Sequence, residues 1–368
     1  MDIAVHVDRI EQQRWAGTHP LRRRIVRAAL GNFFGSADEQ LCEPGKLPRE
    51  GIFRVLVCRP NHRLGNALLI SPLLKELEAI YPGAEIDIVS GGIAAAQLFE
   101  SRFQVRRVMS LPQHIARHPW QAGQRFRSLR RDRYDLAVDP GLHSNSGRLL
   151  LSFSRSRYKV GFPVHAHGRA ADYLEDVPPH HARHGVHLMR VALGERSNRP
   201  WPTLNINLSP AEIDRGRQAL LAILGATGRT TQPIVGVFTN ATQAKRLPPE
   251  LWRDVVHQLY RLRPRLRVVD VLPEHGASQL GTMDRCFYSR NLRKLAAVIA
   301  SMDAFISADC GIMHLASAVS CPTLGLFTRD NREHYEPYGN GSSSLDLSTR
   351  GNADALARRI DHWLLTLQ

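Results

Sequence analysis

The sequence is poor in cysteine, in aromatic residues and in long apolar runs, and each shortage excludes a class of protein. Its five cysteines among 368 residues are scattered without a Cys-x-x-Cys pair, which argues against a zinc site or a disulfide framework and predicts reduced cytoplasmic thiols. No segment approaches the roughly 18 uncharged apolar residues of a membrane-spanning helix. The first residues lack the basic and then apolar pattern of a signal peptide. The composition, 43% apolar and 23% charged, excludes a disordered chain, so we expect a soluble, cytoplasmic protein.

Acidic residues are scarce relative to basic ones. Lys and Arg number 49 against 34 Asp and Glu, a formal net charge of +15, which predicts an acidic partner such as a nucleic acid, an anionic lipid or a phosphorylated substrate. Residues 101–160 alone carry twelve Arg and one Lys against three Asp, a net charge of +10. Aromatic residues make up only 7%, without zinc-finger spacing or an RNP-like motif. We therefore expect no nucleic-acid partner.

A second basic cluster, HPLRRRIVRAALGNFFG at residues 19–35, alternates arginines with apolar residues at helical spacing. This pattern predicts a basic amphipathic helix suited to an anionic membrane surface. A helix that packs its apolar stripe on the protein and leaves its arginines in solvent fits the pattern equally well. Both interpretations stay open.

Short apolar runs alternate with helical patterns in two series. The predicted strands are 53–58, 85–90, 105–110 and 134–139 in the first series and 234–239, 266–271, 303–307 and 322–327 in the second. Such alternation predicts βαβ units, and therefore an α/β protein with two doubly wound parallel sheets. After the Pro-rich segment 196–210, Ser209-Pro210 with Glu212 predicts a capped helix start.

The domain organisation follows from these two series. We expect an N-terminal extension with the basic helix and a linker (1–50), a first Rossmann-like domain (51–205), a second one (206–350) and a C-terminal helix (351–368) that is free to pack back on the first domain. In the first domain a single helix is predicted over 66–80.

Ligands of doubly wound sheets bind beyond the carboxyl ends of the strands, so polar residues there are candidates for chemistry. In the segment 59–74, Gly65 at a helix start favours an anion or a sugar hydroxyl, although a plain connection explains it as well. In the segment 238–252, hydroxyl and amide side chains with one lysine suit a diphosphate, the alternative being a solvated loop: Thr239, Asn240, Thr242 and Lys245. No GxxxxGK[ST] motif occurs, which leaves ATP hydrolysis of the P-loop type unsupported.

A third strand end, within 303–319, combines Asp309, Gly311 and His314. Glycine lets the backbone approach a ligand closely, and the helix N-terminus after it favours phosphate. A carboxylate beside that phosphate would be repelled, so Asp309 is better suited to accept hydrogen bonds from sugar or ribose hydroxyls. His314 is either a functional residue at this mouth or a structural histidine.

Three segments together resemble glycosyltransferase family 9, the ADP-heptose:lipopolysaccharide heptosyltransferases. They are RPNHRLGNALLISPLLKELEAIYPGAEI, AKRLPPELW and DAFISADCGIMHLASAVSCPTLGLF followed by YEPYG, and the resemblance spans about residues 53–367. It implies a GT-B fold, in which two Rossmann-like domains face each other across a cleft, with the acceptor in the first and the sugar nucleotide in the second. It also implies inverting, metal-independent transfer of heptose from ADP-heptose, with ADP leaving and no cofactor.

The resemblance assigns roles by position. Lys245 would neutralise the diphosphate, with hydrogen bonds from Asn240, Ala241 and Thr242 nearby. Asp309 would hold heptose hydroxyls. The amides that face phosphate would come from Cys310, Gly311 and Ile312, with His314 beside them. Glu274 would lie near the ribose.

One position departs from the family pattern. The family has an aspartate after the glycine of the first motif, which acts as the general base, and here this residue is Asn66. An amide does not take up a proton at neutral pH, so His62, Asp139 or His143 would have to substitute. Otherwise the chain is a catalytically impaired protein that binds a sugar nucleotide. Among active enzymes, the acceptor is a phosphorylated glycolipid or a protein serine, or the donor is another sugar nucleotide.

The basic block at 101–160 falls in the expected acceptor domain. We interpret it as a docking surface for a phosphorylated glycolipid at the cytoplasmic face of the inner membrane, where the protein would be peripheral.

Overall fold

The structure is a computed structural model that describes most of the chain from residue 37 onward. The described residues are 37–111, 120, 127, 129–164, 168, 170–195, 199–226, 231–242, 245–274, 278–281, 285–348 and 352–367. The basic helix predicted within 19–35 lies outside them. In the part that is described, no helix combines the length and the apolar character needed to cross a membrane.

The first half of the chain forms a five-stranded parallel sheet. Its strands are β1 (Arg54–Arg59), β2 (Glu85–Gly91), β3 (Val105–Leu111), β4 (Tyr134–Asp139) and β5 (Ser156–Gly161). The helices are α1 (Leu64–Leu68), α2 (Ser71–Ile80), α3 (Ala94–Phe99), α4 (Asn145–Phe153) and α5 (His184–Ala192), and the 3-10 helices are Ala171–Leu174 and His181–Arg183.

The second half forms a six-stranded parallel sheet. Its strands are β6 (Ile234–Phe238), β7 (Arg267–Val271), β8 (Cys286–Phe287), β9 (Ala304–Ala308), β10 (Thr323–Phe327) and β11 (Ser343–Asp346). The helices are α6 (Pro210–Ile223), α7 (Pro249–Leu262), α8 (Leu292–Ile299), α9 (Gly311–Ser317), α10 (Arg332–Tyr335) and α11 (Ala353–Leu365).

Both sheets have the strand order of doubly wound folds. The first runs β3-β2-β1-β4-β5 and the second β8-β7-β6-β9-β10-β11, with every pairing parallel. In each sheet the chain reverses its winding direction beside the first strand, between β1 and β4 and between β6 and β9. Such switch points open a crevice at the carboxyl ends of the strands. The prediction of two doubly wound parallel sheets is confirmed.

The central strands β1, β6, β9 and β10 are buried on both faces, which explains why they are continuous apolar runs. In β1, Val55 and Val57 pack into one core while Leu56 and Cys58 pack into another on the opposite face. The core on the Val55 side continues into the second half, where it includes Leu315 of α9. The two halves therefore share one apolar core.

The helix predicted over 66–80 is two helices in the structure. α1 ends at Leu68 and α2 begins at Ser71. Pro72 has no N–H, and its ring would clash with the carbonyl of Leu68 four residues earlier. That carbonyl accepts a hydrogen bond from the Ser71 hydroxyl instead, at 2.7 Å. The prediction was wrong because Leu69 and Ile70 keep the apolar pattern across the break.

The connection between the halves is held by one partly buried arginine. Ser209 and Glu212 form the predicted capping box at the start of α6. Glu212 also pairs with Arg293 of α8, with 2.6 Å between its Oε1 and the arginine Nε. Arg293 donates further to the carbonyls of Leu98, in the first half, and Ile206, in the linker, at 3.1 and 3.0 Å. The arginine thus ties both halves to the linker.

The C-terminal helix α11 packs against α7 of the second half. Its Leu356, Ile360 and Trp363 belong to the core around Trp252 of α7. The sequence analysis left open that this helix packs back on the first half. Its main contact is with α7 instead, because its apolar stripe completes the core of the second sheet.

Helices α1 and α9, one from each half, meet at two glycines. A Cβ added to Gly311 would lie 2.8 Å from the Cβ of Leu64 and 3.0 Å from the backbone nitrogen of Gly65. A Cβ added to Gly65 would lie 2.9 Å from the His314 ring. Only glycine permits this approach, so the helix starts of the two predicted ligand segments are in contact.

In its described residues, the basic block at 101–160 does not form one continuous surface. Five of its described cations bond to protein groups: Arg102, Arg106, Arg107, Arg148 and Lys159. Five exposed ones lie at or just before the first residues of β4 and β5: Arg130, Arg131, Arg133, Arg155 and Arg157. We call this group the arginine edge. It lies at the amino ends of the strands, opposite the crevice, so it does not line the cavity, and docking of a glycolipid there stays a prediction.

Candidate active site

A polar cavity of about 650 Å³ lies at the switch point of the first sheet. Its walls are the segments after β1 and β4, the 3-10 helix His181–Arg183 with the start of α5, and one residue of the second half. The side chains that matter below are Arg59, Asn66, His143, His181, His184 and Tyr335. Tyr335, in α10, closes the cavity from the other half.

Asn66 faces this cavity from α1. Its Oδ1 accepts a hydrogen bond from Nη2 of Arg59 at 3.2 Å. Burial lowers the pKa of Arg59, although Asp139 and Tyr335 oppose the shift. The amide is thus held by a cation and has no basic lone pair to offer, as the sequence indicated.

The three predicted substitute bases differ in position. Asp139 is buried, 3% exposed, and its Oδ1 accepts a hydrogen bond from the backbone N–H of Gly141 at 3.0 Å. Burial raises its pKa to about 7, against the lowering effect of this hydrogen bond and of Arg59. Asp139 is not among the residues that line the cavity, and neither is His62, whose ring lies against Gly91 at the end of β2. His143 does line it.

On the opposite side, Lys245 and Asp309 form an ion pair. The lysine Nζ lies 2.5 Å from Oδ2 of Asp309, which is 5% exposed. The same oxygen accepts a hydrogen bond from the side-chain amide of Asn331 at 2.9 Å. Lys245 follows β6 and Asp309 follows β9, so the switch point of the second sheet brings these two predicted residues together.

His314 is buried at the start of α9 and packs over Gly65. Burial lowers its pKa to about 4, although Asp309 acts in the opposite direction, so the imidazole is neutral at pH 7. Its Nδ1 has no hydrogen-bond partner. Cys310, the residue before α9, places its Sγ 3.4 Å from the Ser307 hydroxyl, and burial raises the pKa of this thiol. Ile312 packs against the shared core.

The other residues that were predicted to bind the sugar nucleotide lie in the segments that follow β6 and β7. Oδ1 of Asn240 accepts hydrogen bonds from Gln279 at 2.7 Å and Arg246 at 3.2 Å. The carbonyl of Thr242 accepts from the backbone N–H of Lys245, and Ala241 packs against the core of the second sheet. Glu274, with a side chain 61% exposed, lies 3.7 Å from Arg290. Glu274 is therefore a rim residue rather than part of the Lys245 cluster.

Tyr335 joins the two sides. Its ring centroid lies 5.8 Å from Nζ of Lys245, 6.4 Å from the His314 ring and 4.7 Å from the His181 ring. Neither Tyr335 nor His181 was singled out in the sequence. The available signals were the YEPYG segment and the histidines in HHARHGVH, but contacts between the halves are needed to bring them together.

Asp270, a third residue missed in the sequence, is a buried carboxyl inside β7. It is 1% exposed, and although Ser278 is nearby, neither oxygen has a hydrogen bond of good geometry. Burial raises its pKa to about 6. Thr239, in a similar position after β6, likewise buries a hydroxyl oxygen without a partner.

Replacing Asp270 with Asn is expected to stabilise the protein by about 3 kcal/mol at pH 7 and much less at pH 4. The folded pKa, about 6, exceeds the ordinary value of 3.8. Between pH 3.8 and about 6, the Asp270 carboxyl ionises in the unfolded chain before it ionises in the folded one. The wild type therefore loses stability as the pH rises, whereas the amide of the variant stays neutral. Urea unfolding at pH 4, 5.5 and 7 measures the difference. Asp254→Asn, at an exposed position of α7, is the control, and parallel curves for Asp270→Asn and wild type would contradict the prediction.

Within the described residues, no group of three or more His, Cys, Asp or Glu side chains is arranged to hold a metal ion.

Comparisons with known proteins agree with this architecture. The structure is similar to three solved structures. They are a family 9 glycosyltransferase of Veillonella parvula (16% identity, TM-score 0.67, covering 85% of this chain and 97% of that one), the E. coli heptosyltransferase WaaC with ADP (19%, 0.64, 84% and 100%) and E. coli ADP-heptose LPS heptosyltransferase II (18%, 0.61, 85% and 99%). At this identity the likeness shows the fold, and it confirms the expected GT-B architecture.

No curated protein sequence matches the chain. The family model described as glycosyltransferase family 9 (heptosyltransferase) matches residues 123–359, well over half of the chain. The chain therefore belongs to glycosyltransferase family 9 and is an enzyme of the glycosyltransferase class.

Proposed function

We propose that this protein transfers heptose from ADP-heptose to a phosphorylated glycolipid of the lipopolysaccharide core, with inversion and without a metal ion. One observation carries the proposal. The Lys245–Asp309 pair and the polar cavity of about 650 Å³ lie at the switch points of the two sheets and meet at Tyr335. Such an arrangement supports the proposal because it would let a donor and an acceptor approach one reacting carbon from opposite sides.

On the donor side, Lys245 neutralises the charge that develops on the departing diphosphate. The ammonium acts in a partly closed cleft, where a fixed charge is worth more than in water. When Lys245 turns to the diphosphate, Asp309 is released to accept hydrogen bonds from heptose hydroxyls. The amides of Cys310, Gly311 and Ile312 face the phosphates, and Asn240 and Thr242 line the approach. The lysine thus supplies the positive charge that a divalent cation supplies in metal-dependent enzymes.

On the acceptor side, Arg59 and Arg63 give the cavity its positive charge, which favours a phosphorylated acceptor. Asn66 orients the acceptor through its amide. Within the enzyme class, the alternatives are a protein serine as the acceptor or another sugar nucleotide as the donor. Asn66 itself favours a second class of function, a protein that binds a sugar nucleotide without transferring it.

A transfer assay with wild type and Asn66→Asp separates these functions. ADP-heptose is supplied with a heptose-deficient core glycolipid or a serine-containing peptide, and labelled product is measured. We expect the wild type to act on the glycolipid and Asn66→Asp to stay within about tenfold of it, because the new carboxylate would pair with Arg59 at the same place. Asn61→Asp is the matched control, since Asn61 lines the same cavity and accepts a hydrogen bond from the N–H of Arg63.

Two results would decide against this proposal. If wild type and Asn66→Asp are both inert while calorimetry shows ADP-heptose binding, the protein is a binding protein. If only the peptide is modified, the acceptor class is wrong while the enzyme class stands.

A further inference from the structure

Four histidines lie within eight residues of the first half, in the sequence HHARHGVH from His180 to His187. The 3-10 helix His181–Arg183 leads directly into α5, so residues 181 and 184 are on neighbouring turns. His181 and His184 line the cavity that also holds Asn66, whereas His187 does not. The 3-10 turn and the helix thus present an imidazole pair to the acceptor pocket.

The hydrogen bonds of this pair assign its protons. Nε2 of His184 lies 3.0 Å from the carbonyl oxygen of Pro178. Because a carbonyl only accepts, we assign the proton of His184 to Nε2, which leaves its Nδ1 as an acceptor. Nδ1 of His181 lies 3.5 Å from this Nδ1 and therefore carries the proton of the second ring. The nitrogen of His181 left with a lone pair is Nε2.

The contact between the two rings is long, as catalytic hydrogen bonds often are before a substrate binds. Burial lowers the pKa of His181 to about 4 and that of His184 to about 3. The groups that face His181 and add to its shift are His334, Arg59, His180 and His143. Both imidazoles are thus neutral at pH 7, and the assigned tautomers persist.

His181 lies between the acceptor cavity and the side of the site proposed to bind the sugar nucleotide. Its ring centroid lies 4.7 Å from the Tyr335 ring, and that ring lies 5.8 Å from Nζ of Lys245 on the donor side. His181 is only partly buried, so its ring is accessible from the cavity. Of the predicted substitutes, Asp139 and His62 do not line the cavity. His143 does line it, on the segment after β4, and faces His181 from there.

We propose that His181 is the general base that takes the proton of the acceptor hydroxyl, with His184 as the positioning residue that fixes its tautomer. This role rests on the proposed function and replaces the carboxylate that the family places where Asn66 stands. The hydroxyl oxygen forms a bond to the anomeric carbon. The bond from that carbon to the diphosphate oxygen breaks, and ADP leaves with the electron pair of that bond. The hydroxyl proton moves to Nε2 of His181 and later to solvent.

A weakly basic imidazole is sufficient for this step. The hydroxyl becomes strongly acidic once its oxygen has begun to bond to a carbon of oxocarbenium character, so proton transfer is late. The bound diphosphate and acceptor phosphate bring negative charge near His181, which raises its pKa toward the operating pH. The neighbouring Arg59 acts in the other direction.

The test compares His181→Ala, His184→Asn and, as a control on the same helix, His187→Gln. His187 donates a hydrogen bond to the carbonyl of Tyr173 and is not a lining residue of the cavity. With ADP-heptose and heptose-deficient core glycolipid, we expect His181→Ala to lower kcat by about 10²–10⁴-fold with little change in the KM for donor. His184→Asn is expected to lower kcat by about tenfold, and His187→Gln to change it by less than threefold.

Two further readouts distinguish a base from a structural side chain. The acidic limb of the wild-type kcat/KM profile is expected to disappear in His181→Ala, and added imidazole is expected to restore part of its activity. A folded His181→Ala variant with wild-type kcat would overturn the inference, and so would a loss of kcat with an unchanged pH profile and no imidazole rescue. A wild type that binds ADP-heptose without transferring heptose would overturn the proposed function as well, which separates the two failures.

Discussion

A Lys245→Ala variant is expected to lose heptose transfer by on the order of 10²–10³-fold, the scale measured when one fixed electrostatic contact to a transition state is removed. The loss should fall mainly on kcat, because the diphosphate is most negative as it leaves. The variant also leaves the carboxylate of Asp309 buried, 5% exposed, with its hydrogen bond from Asn331 still in place. A buried charge without its counter-ion is costly, so a lower stability is expected in addition.

A double variant separates these two effects. In Lys245→Ala combined with Asp309→Asn, the orphaned charge is gone, and stability should return toward the wild type while transfer stays low. ADP release and urea unfolding measure the two quantities. Lys75→Ala, at an exposed position on α2, controls for the loss of one positive charge. A Lys245→Ala variant within threefold of wild-type kcat would rule out the proposed role of this lysine.

A Gly216→Ala variant is expected to be destabilised by more than about 3 kcal/mol, at the upper end for overpacking, because the clash is with backbone. Helix α6 crosses α8 at Gly216, and a Cβ there would lie 2.2 Å from the carbonyl oxygen of Ala297. Backbone atoms of a packed helix do not move aside as the end of a flexible side chain does, so the helices have to separate. The junction held by Arg293 would separate with them.

Urea denaturation of Gly216→Ala and Gly83→Ala tests this expectation. A Cβ added to Gly83 would meet no atom within 4 Å, so the stability of this control should stay within about 0.5 kcal/mol of the wild type. Equal midpoints for the two variants would show that α6 and α8 are not packed as described.

Most strands were predictable because each is an apolar run that ends at a polar or glycine-rich segment. Three strands, β5, β8 and β11, were not predicted. The sequence of β5, SRYKVG, contains no such run. Its Lys159 is 9% exposed, and its Nζ is bonded to Gln40 at 2.7 Å. A buried lysine that is held by a distant segment has no local sequence signature. The sequence pattern alone therefore does not predict this strand.

The same distinction applies to the candidate site. Lys245 and Asp309 were predictable because each follows a strand, and the strand order then brings them together. His181 and Tyr335 were not, because they meet only when α10 of the second half packs on the 3-10 helix of the first. The net charge of the block was a poor guide to its surface charge. Cations that pair inside the protein, such as Arg102 with Glu78, contribute to the net charge but add little positive charge to the surface.

The arginine edge and the cavity lie at opposite ends of the same strands. β4 has six residues, so about 20 Å separates the two ends at roughly 3.3 Å per residue. A glycolipid whose phosphates rest on the arginine edge therefore has to extend its acceptor sugar over that distance, around the outside of the sheet, to reach Asn66 and His181. A head group that spans less than about 20 Å could then not contact both the arginine edge and the cavity.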